Sequence, residues 1–366
     1  MRPWRAVARE LADSGCGVWR KRSWFGHRRR DGDRGDRGYN ARAVRLDLRS
    51  NLRREAKQVA LAALPRRLRM ALRSARQRGR VRHVRDMAEL DRELRAAYEA
   101  FQISEDAGRE ALQSFDLIAG PDLPADPRSE AYRQAQLALY ERVAGKAYTP
   151  AAERSIFDAA AAVRSPFPYN TGSAEVVGDQ LIALGFLMKA MGLASPSSVL
   201  EFGPGWGNTT DALVRMGHRV TAVEIDPAFV ALIGARCKDV ADRLTLVTAD
   251  MLEFRTSERF DLVLFFESFH HCADHRAMLA RLADLVHPGG KVVFAGEPVL
   301  DLAYPWGLRL DGQSLWSVRQ LGWLELGFDT AYFFSALRDF GWDAERHQSR
   351  AISPLADVIV ATRSRT

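Results

Sequence analysis

The stretch that decides the fold is Val199-Leu200-Glu201-Phe202-Gly203-Pro204-Gly205-Trp206-Gly207-Asn208. Its first four residues predict a short buried strand, and its alternate glycines let the backbone turn tightly beside a ligand. The loop opens a predicted helix at 208–216, whose free N–H groups favour an anionic group. The dinucleotide spacing Gly-x-Gly-x-x-Gly fails, because Asn208 stands at the sixth position. Glu201 would repel a pyrophosphate, so a cationic ligand suits this loop better.

Two further carboxylates end the next predicted strands. Glu224 closes the second strand, where it can accept hydrogen bonds from both hydroxyls of a ribose. Asp250 closes the third strand, where it can accept from an adenine amine while Met251 packs on the ring. Each residue alone is more often a helix cap or a solvated turn. Their occurrence in order, at successive strand ends, favours a nucleoside-containing ligand.

Strands and helices alternate from Ser198 onward, which predicts an α/β parallel sheet with helices on both faces. Before this region, apolar residues at helical spacing predict an all-helical lead-in over 86–195. The strands are expected at 199–202, 219–225, 244–248, 261–266, 291–295, 344–348 and 357–362, and the lead-in helices at 86–101, 104–115, 127–144, 150–163 and 173–191.

Residues 198–297 resemble the core of class I S-adenosylmethionine-dependent methyltransferases. The matching motifs are Val199–Gly207, Val220–Asp226, Val247–Glu253, Phe260–Cys272 and Leu285–Lys291. The resemblance implies a doubly wound, seven-stranded, mostly parallel, Rossmann-like sheet over 196–366, whose last strand is antiparallel. It also implies S-adenosyl-L-methionine as the cofactor.

The residues expected to bind that cofactor come from the matched motifs and from the turn-rich segment 166–172, which often folds over the cofactor in this class. They are Glu201, Phe202, Gly203, Gly205, Gly207, Asn208, Glu224, Ile225, Asp250, Met251, Tyr169 and Thr171.

Candidate catalytic residues follow the fourth predicted strand in Glu267-Ser268-Phe269-His270-His271. A hydroxyl acceptor needs a proton acceptor, and His271, His270 and Glu267 are the candidates. The alternative is a histidine pair with a packing and hydrogen-bonding role. No third ligand for a histidine metal site is visible in the sequence, so we expect no metal.

The acceptor is expected to be a small molecule or glycan. The aromatic-rich insertion at 299–328 combines Trp and Arg residues that suit a sugar by stacking and forked hydrogen bonds; these Trp residues could equally be core. The segment Phe266–Phe269 lacks the Asn/Asp-Pro-Pro-aromatic sequence of enzymes that methylate exocyclic base amines. Cys272 lacks the preceding proline typical of cytosine carbon-5 methylation.

The charge of the 366-residue chain is strongly asymmetric. Residues 1–85 hold 26 basic and 7 acidic residues, whereas the remainder holds 27 basic and 39 acidic residues. We expect residues 1–43 to be disordered, or to precede the true start, and 44–85 to form a basic amphipathic helix. Three scattered cysteines and the lack of a long apolar run predict a cytoplasmic protein, and the basic segment adds the alternative of association with a membrane surface.

The leading hypothesis is methyl transfer to an oxygen of a sugar or small molecule. Two rivals stay open: a nucleic-acid methyltransferase that uses the basic N-terminus, and a non-catalytic S-adenosylmethionine-binding regulator. Nucleic acid is the less favoured partner, because no aromatic residue interleaves with the arginines over 45–82.

Residues 45–82 are predicted to contact anionic membranes. Each Arg near such a surface contributes about 1 kcal/mol, and salt screens this attraction. The full chain should therefore co-sediment with anionic vesicles at low salt, and deletion of residues 1–82 should abolish co-sedimentation. Co-sedimentation that survives the deletion would contradict the prediction.

Overall fold

The computed structural model describes residues 81–118, 123–165, 167, 171–353 and 355–364. The predictions for 1–43, for 44–80 and for Tyr169 fall outside these residues. Within the described residues, no helix combines the length and apolarity that crossing a membrane would require.

The lead-in is helical apart from a two-stranded sheet, formed by β1 (Arg82–Val84) and β2 (Phe115–Leu117). Phe115 and Leu117 are buried and Asp116 between them is half-buried, which is the alternation of a strand. The helix predicted over 104–115 therefore ends earlier, at Leu112. The lead-in helices are α1 (Met87–Ile103), α2 (Glu105–Leu112), α3 (Glu130–Ala144), α4 (Ala159–Arg164) and α5 (Ala174–Met191), with a 3₁₀ turn at Pro150–Glu153.

Side-chain caps set where the lead-in helices begin. Asp86, Ser104, Ser129, Asp158 and Ser173 each accept a hydrogen bond from a backbone N–H in the first turn that follows. Such caps satisfy donors that have no partner inside the helix.

The strands that follow alternate with helices, as the sequence predicted. The strands are β3 (Ser198–Phe202), β4 (Arg219–Glu224), β5 (Leu244–Thr248), β6 (Phe260–Phe266), β7 (Val286–Ala295), β8 (Val299–Leu300), β9 (Trp306–Leu308), β10 (Leu326–Asp329), β11 (Trp342–His347) and β12 (Val358–Arg363). The helices are α6 (Asn208–Arg215), α7 (Pro227–Arg236), α8 (His275–Leu285), α9 (Gly312–Trp316) and α10 (Thr330–Asp339).

Seven strands form the main sheet in the order β11-β12-β7-β6-β3-β4-β5. The pairs from β7 to β5 are parallel, and β12 is antiparallel to both of its neighbours. This confirms the predicted Rossmann-like methyltransferase fold. Because β3 to β7 are parallel, the loops after their carboxyl ends meet at one edge of the sheet, where α/β proteins bind ligands.

The insertion at 299–328 forms its own three-stranded sheet, in the order β8-β10-β9, and packs on the lead-in. Trp306 is buried, and its carbonyl accepts a hydrogen bond from the Tyr132 hydroxyl at 2.9 Å. The Arg319 guanidinium donates to both carboxylate oxygens of Asp91. The insertion and the lead-in therefore share one hydrophobic core with the main sheet.

Phe265 lies at the centre of that core. Its ring stacks between those of Phe202 and Phe294, with centroids 5.3 and 5.2 Å away. All three side chains are fully buried. This stack joins three neighbouring strands on one face of the sheet.

Replacement of Phe265 by Ala should leave a cavity in the core. We expect a loss of about 3–5 kcal/mol in the free energy of unfolding, measured by denaturant titration. Ile103→Ala is the matched control, because Ile103 is 76% exposed, and it should change stability little. Equal stabilities of the two variants would show that the stack is not a core element.

Candidate active site

A cavity of about 630 Å³ opens at the carboxyl edge of the main sheet. This volume lies within the range of small-molecule sites. Loops after β3 to β7 line it, together with residues of the lead-in and the insertion. The nine predicted site residues that line it are Gly203, Gly205, Glu224, Ile225, Asp250, Met251, Glu267, His270 and His271.

Backbone N–H groups hold the Glu224 carboxylate against the glycine loop, residues 203–207. Gly203 and Gly205 have φ of +63° and +51°, which favour glycine. The Gly205 N–H donates to Glu224 Oε2 at 3.0 Å, and the Asp226 N–H donates to Glu224 Oε1 at 2.9 Å. Burial raises the pKa of the Glu224 carboxyl, and these N–H groups oppose the rise.

Asp250 and Met251 lie on the loop after β5. The Asp250 carboxylate accepts the Leu252 N–H at 2.6 Å, which fixes the turn. Met251 is half-buried against the core and also lines the cavity. Both residues therefore lie where the sequence expected the adenine end of a cofactor.

Other predicted cofactor residues lie away from the cavity lining. The Phe202 ring packs in the core, and Gly207 faces Ile233, whose side chain an added Cβ would meet at 2.6 Å. Asn208 begins α6 and accepts a hydrogen bond from Arg236 at 2.9 Å. Thr171 donates to Glu105, which pairs with the cavity-lining Arg109.

Glu201 does not line the cavity either, although Gly203, two residues later in the chain, does. It is 1% exposed, and its Oε2 accepts the Thr210 hydroxyl at 2.5 Å. Its Oε1 has no partner among the described residues. Burial, with repulsion from Glu224, raises the pKa of this carboxyl to about 7 although the Thr210 hydrogen bond lowers it.

The loop after β6 is organised by Glu297, which the sequence reasoning missed. Glu297 Oε1 accepts the N–H groups of Ser268 and Phe269 at 2.9 and 2.8 Å. Its Oε2 accepts the His270 N–H at 3.0 Å and lies 2.8 Å from His270 Nδ1. Burial alone would raise the pKa of Glu297, but His270 and the N–H donors hold it below its usual value.

The two histidines differ in their partners. His270 turns Nδ1 to Glu297 and directs Nε2 toward Glu325 Oε2, at 3.8 Å. His271 Nδ1 lies 3.3 Å from Glu153 Oε2. Burial would lower the pKa of His271, but Glu153, Glu325 and Glu297 raise it to about 9. These carboxylates therefore favour the protonated form of His271, which makes it a less suitable proton acceptor at neutral pH.

Glu267 has the features of a general base. Its φ is +51°, a left-handed conformation that is uncommon outside glycine and clusters at functional sites. Its side chain is exposed to the cavity, which it lines. Desolvation by the surrounding protein, and repulsion from Glu297 and Glu325, raise its pKa to about 7.

The far end of the cavity is built by the insertion and the lead-in. Arg309, Trp323 and Glu325 line it from the insertion, and Tyr148 and Glu153 line it from the lead-in. Trp306 and Trp316, two of the predicted sugar-binding aromatics, instead pack against Tyr132 and Phe101. Glu297 could have been found in the sequence, since it follows β7 at a strand end, whereas Glu325 has no local signal.

Comparison with known proteins agrees with this geometry. A family model described as "Methyltransferase domain" matches residues 200–294. This part of the chain is a class I S-adenosylmethionine-dependent methyltransferase domain.

Individual relatives match over limited lengths. An uncharacterized methyltransferase of Geobacillus kaustophilus is 36% identical over 106 residues, covering 28% of this chain and 48% of the relative. A ubiquinone biosynthesis O-methyltransferase of Paramagnetospirillum magneticum is 28% identical over 167 residues, covering 44% and 65%. A solved glycopeptide N-methyltransferase is 21% identical, with a TM-score of 0.40, covering 50% and 90%. The chain spans between about half and two thirds of the length of these two curated relatives.

The residues present fit S-adenosylmethionine. Among the described residues other than its two chain neighbours, none places a heavy atom within 4 Å of the position a Cβ would take at Gly205, so the loop leaves room for a ligand there. Glu224 is buried at the cavity wall, and its oxygens retain lone pairs for the ribose hydroxyls. The carboxylates around the cavity suit a ligand that carries a sulfonium and an ammonium.

Replacement of Glu224 by Gln should weaken S-adenosylmethionine binding, because a hydrogen bond to a charged group contributes roughly 1.5–3 kcal/mol. We expect a loss of about tenfold or more, measured by calorimetry. Glu345→Gln, at an exposed position on β11, is the matched control. If the Glu224→Gln protein is as stable as the wild type and its affinity is unchanged, Glu224 does not belong to the cofactor site.

Proposed function

We propose that this chain transfers the methyl group of S-adenosylmethionine to an oxygen of a small polyhydroxylated acceptor, such as a sugar, with Glu267 as the proton acceptor. The observation that carries this proposal is the position of Glu267, which lines the cavity on the loop after β6, between the glycine loop and the far end formed by the insertion. Glycan or small-molecule chemistry is favoured because the far end combines Trp323, Arg309 and Glu325.

The bound cofactor supplies a methyl group that its sulfonium already activates. The protein has to hold the acceptor in line with that group, and such positioning can lower a barrier by roughly 7–11 kcal/mol. Gly203, Gly205, Glu224, Asp250 and Met251 would hold the cofactor. The insertion and the lead-in would hold the acceptor against it and exclude water.

The acceptor hydroxyl has to lose a proton, and the neighbouring groups divide this task. Glu267, whose pKa is raised toward neutrality by desolvation and by the nearby carboxylates, can take the proton near neutral pH. His271 lies beside Glu153, which favours the protonated form of the imidazole. His270 is bound through Nδ1 to Glu297. The proton acceptor is therefore assigned to Glu267 rather than to the histidine pair.

The reaction predicts where a label will go. Incubation of the full chain with methyl-labelled S-adenosylmethionine and a whole cell extract, which is fractionated afterwards, should give a labelled small molecule that is absent when the chain is left out. Label in nucleic acid, removed by nuclease, would favour the nucleic-acid rival. Absence of label in every fraction, with cofactor binding intact, would favour the non-catalytic regulator.

The rate of that labelling should depend on pH through Glu267. Because its pKa is raised to about 7, the base is lost as pH falls through this value, so the rate should fall on the acid side. Glu267→Gln should lower the rate by about 10²–10⁴-fold with little change in cofactor affinity. Glu258→Gln, at an exposed loop position, is the matched control.

A rate that is flat from acid to neutral pH would contradict the role of Glu267. So would a Glu267→Gln variant that keeps the rate of the Glu258→Gln control.

A further inference from the structure

We propose that His270, His271 and Glu325 form a site for one divalent transition-metal ion at the acceptor end of the cavity. The sequence shows two histidines without a third ligand, and the fold supplies Glu325 from the insertion. One ligand atom from each of the three side chains lies within 4.8 Å of the other two. Metal–ligand bonds of about 2.0–2.2 Å place tetrahedral donors roughly 3.4 Å apart, so small side-chain rotations complete the site.

Carboxylates behind the two histidines strengthen this interpretation. His270 Nδ1 lies 2.8 Å from Glu297 Oε2, and His271 Nδ1 lies 3.3 Å from Glu153 Oε2. Histidines that bind metals commonly donate their second ring N–H to a carboxylate, which fixes the ring and raises its basicity. His270 Nδ1 is hydrogen-bonded to its carboxylate, whereas His271 Nδ1 only lies at an ion-pair distance from Glu153. With both Nδ1 atoms facing carboxylates, the Nε2 atoms are the ligand atoms in this proposal.

Glu325 is an independent indication of a ligand. Its residue is 8% exposed and lines the cavity. Among the described residues its carboxylate makes no hydrogen bond, and its nearest nitrogen neighbours, His270 Nε2 and Arg309 Nη1, are both 3.8 Å away. A buried carboxylate without close donors is costly, and a metal ion would satisfy it.

The donor set selects the kind of ion. Two imidazoles and one carboxylate suit Zn²⁺ or Fe²⁺, whereas Mg²⁺ and Ca²⁺ prefer oxygen ligands throughout. Three protein ligands leave positions open toward the cavity, as in catalytic rather than structural sites. Those open positions suit oxygen atoms of the acceptor. This use of the ion rests on the proposed methyl transfer, but the binding of the ion does not depend on that proposal.

The test measures binding alone, without cofactor or acceptor. Full-length protein, stripped of metal by a chelator, is titrated with Co²⁺ and followed by its visible absorption. We expect one Co²⁺ per chain, displaced by Zn²⁺ and not by Mg²⁺. Failure of this binding would leave the methyl-transfer proposal intact, since that proposal is tested by labelling.

Three variants make the result specific. Glu325→Gln should weaken Co²⁺ binding at least about tenfold, as should Glu153→Gln, because partners behind metal-binding histidines contribute about 10–100-fold. His83→Gln is the matched control, since His83 pairs with Asp116 at 2.5 Å on the surface and should not contribute.

The proposal is overturned if the wild type binds no Co²⁺, if Glu325→Gln and Glu153→Gln bind as the wild type does, or if His83→Gln removes the binding. Thermal unfolding in metal-free buffer checks that the variants fold. If Glu325→Gln does not fold, Glu153→Gln decides, because its amide oxygen can still accept the Leu324 N–H that Glu153 Oε1 accepts.

Discussion

The buried carboxylate of Glu297 is the interaction on which the active-site geometry depends. It follows β7, yet it accepts three backbone N–H groups and one histidine nitrogen from the loop after β6. A charge buried to this degree is tolerated only when it is fully hydrogen-bonded. Because these bonds fix consecutive residues from Ser268 to His270, they also set the directions of Glu267 and His271 at either end.

The backbone of Glu267 is strained as part of the same arrangement. Its N–H donates to the Ala295 carbonyl at 2.9 Å, and its φ of +51° turns the side chain toward the cavity. A Cβ at Gly296 would lie 2.6 Å from Glu267 Cγ, so the neighbouring strand end must be glycine. Strain of this kind costs on the order of 1–3 kcal/mol and persists where the surroundings determine it. A residue with a negative φ at position 267 would direct its side chain differently relative to the cavity.

Local pattern was enough to predict the sheet and the cofactor side of the cavity. The glycine loop, Glu224 and Asp250 lie at strand ends, and strand ends can be recognised from apolar runs followed by turn residues. Phe202 shows the limit of this reasoning, because its side chain packs on Phe265 within the sheet core although the next residue, Gly203, lines the cavity. The short strand β2 was missed since three residues give too little alternation to compete with a helical pattern.

The acceptor side could not be predicted in the same way. Glu153, Glu297 and Glu325 come from the lead-in, a strand end and the insertion, and they meet only through tertiary packing. The sequence placed the histidines correctly at the cavity but left their protonation open. The pKa of His271 is raised by Glu153, a partner 118 positions earlier in the chain.

The charges around the cavity also explain why neighbouring groups behave differently. Glu297, with close donors, has its pKa held down, whereas Glu267 lacks a comparable set and its pKa rises to about 7. His271 beside Glu153 has its pKa raised to about 9. Carboxyl groups whose environments separate their pKa values can divide structural and acid–base roles within one site. Glu297 therefore serves to hold the loop, whereas the raised pKa of Glu267 fits the proposed acid–base role.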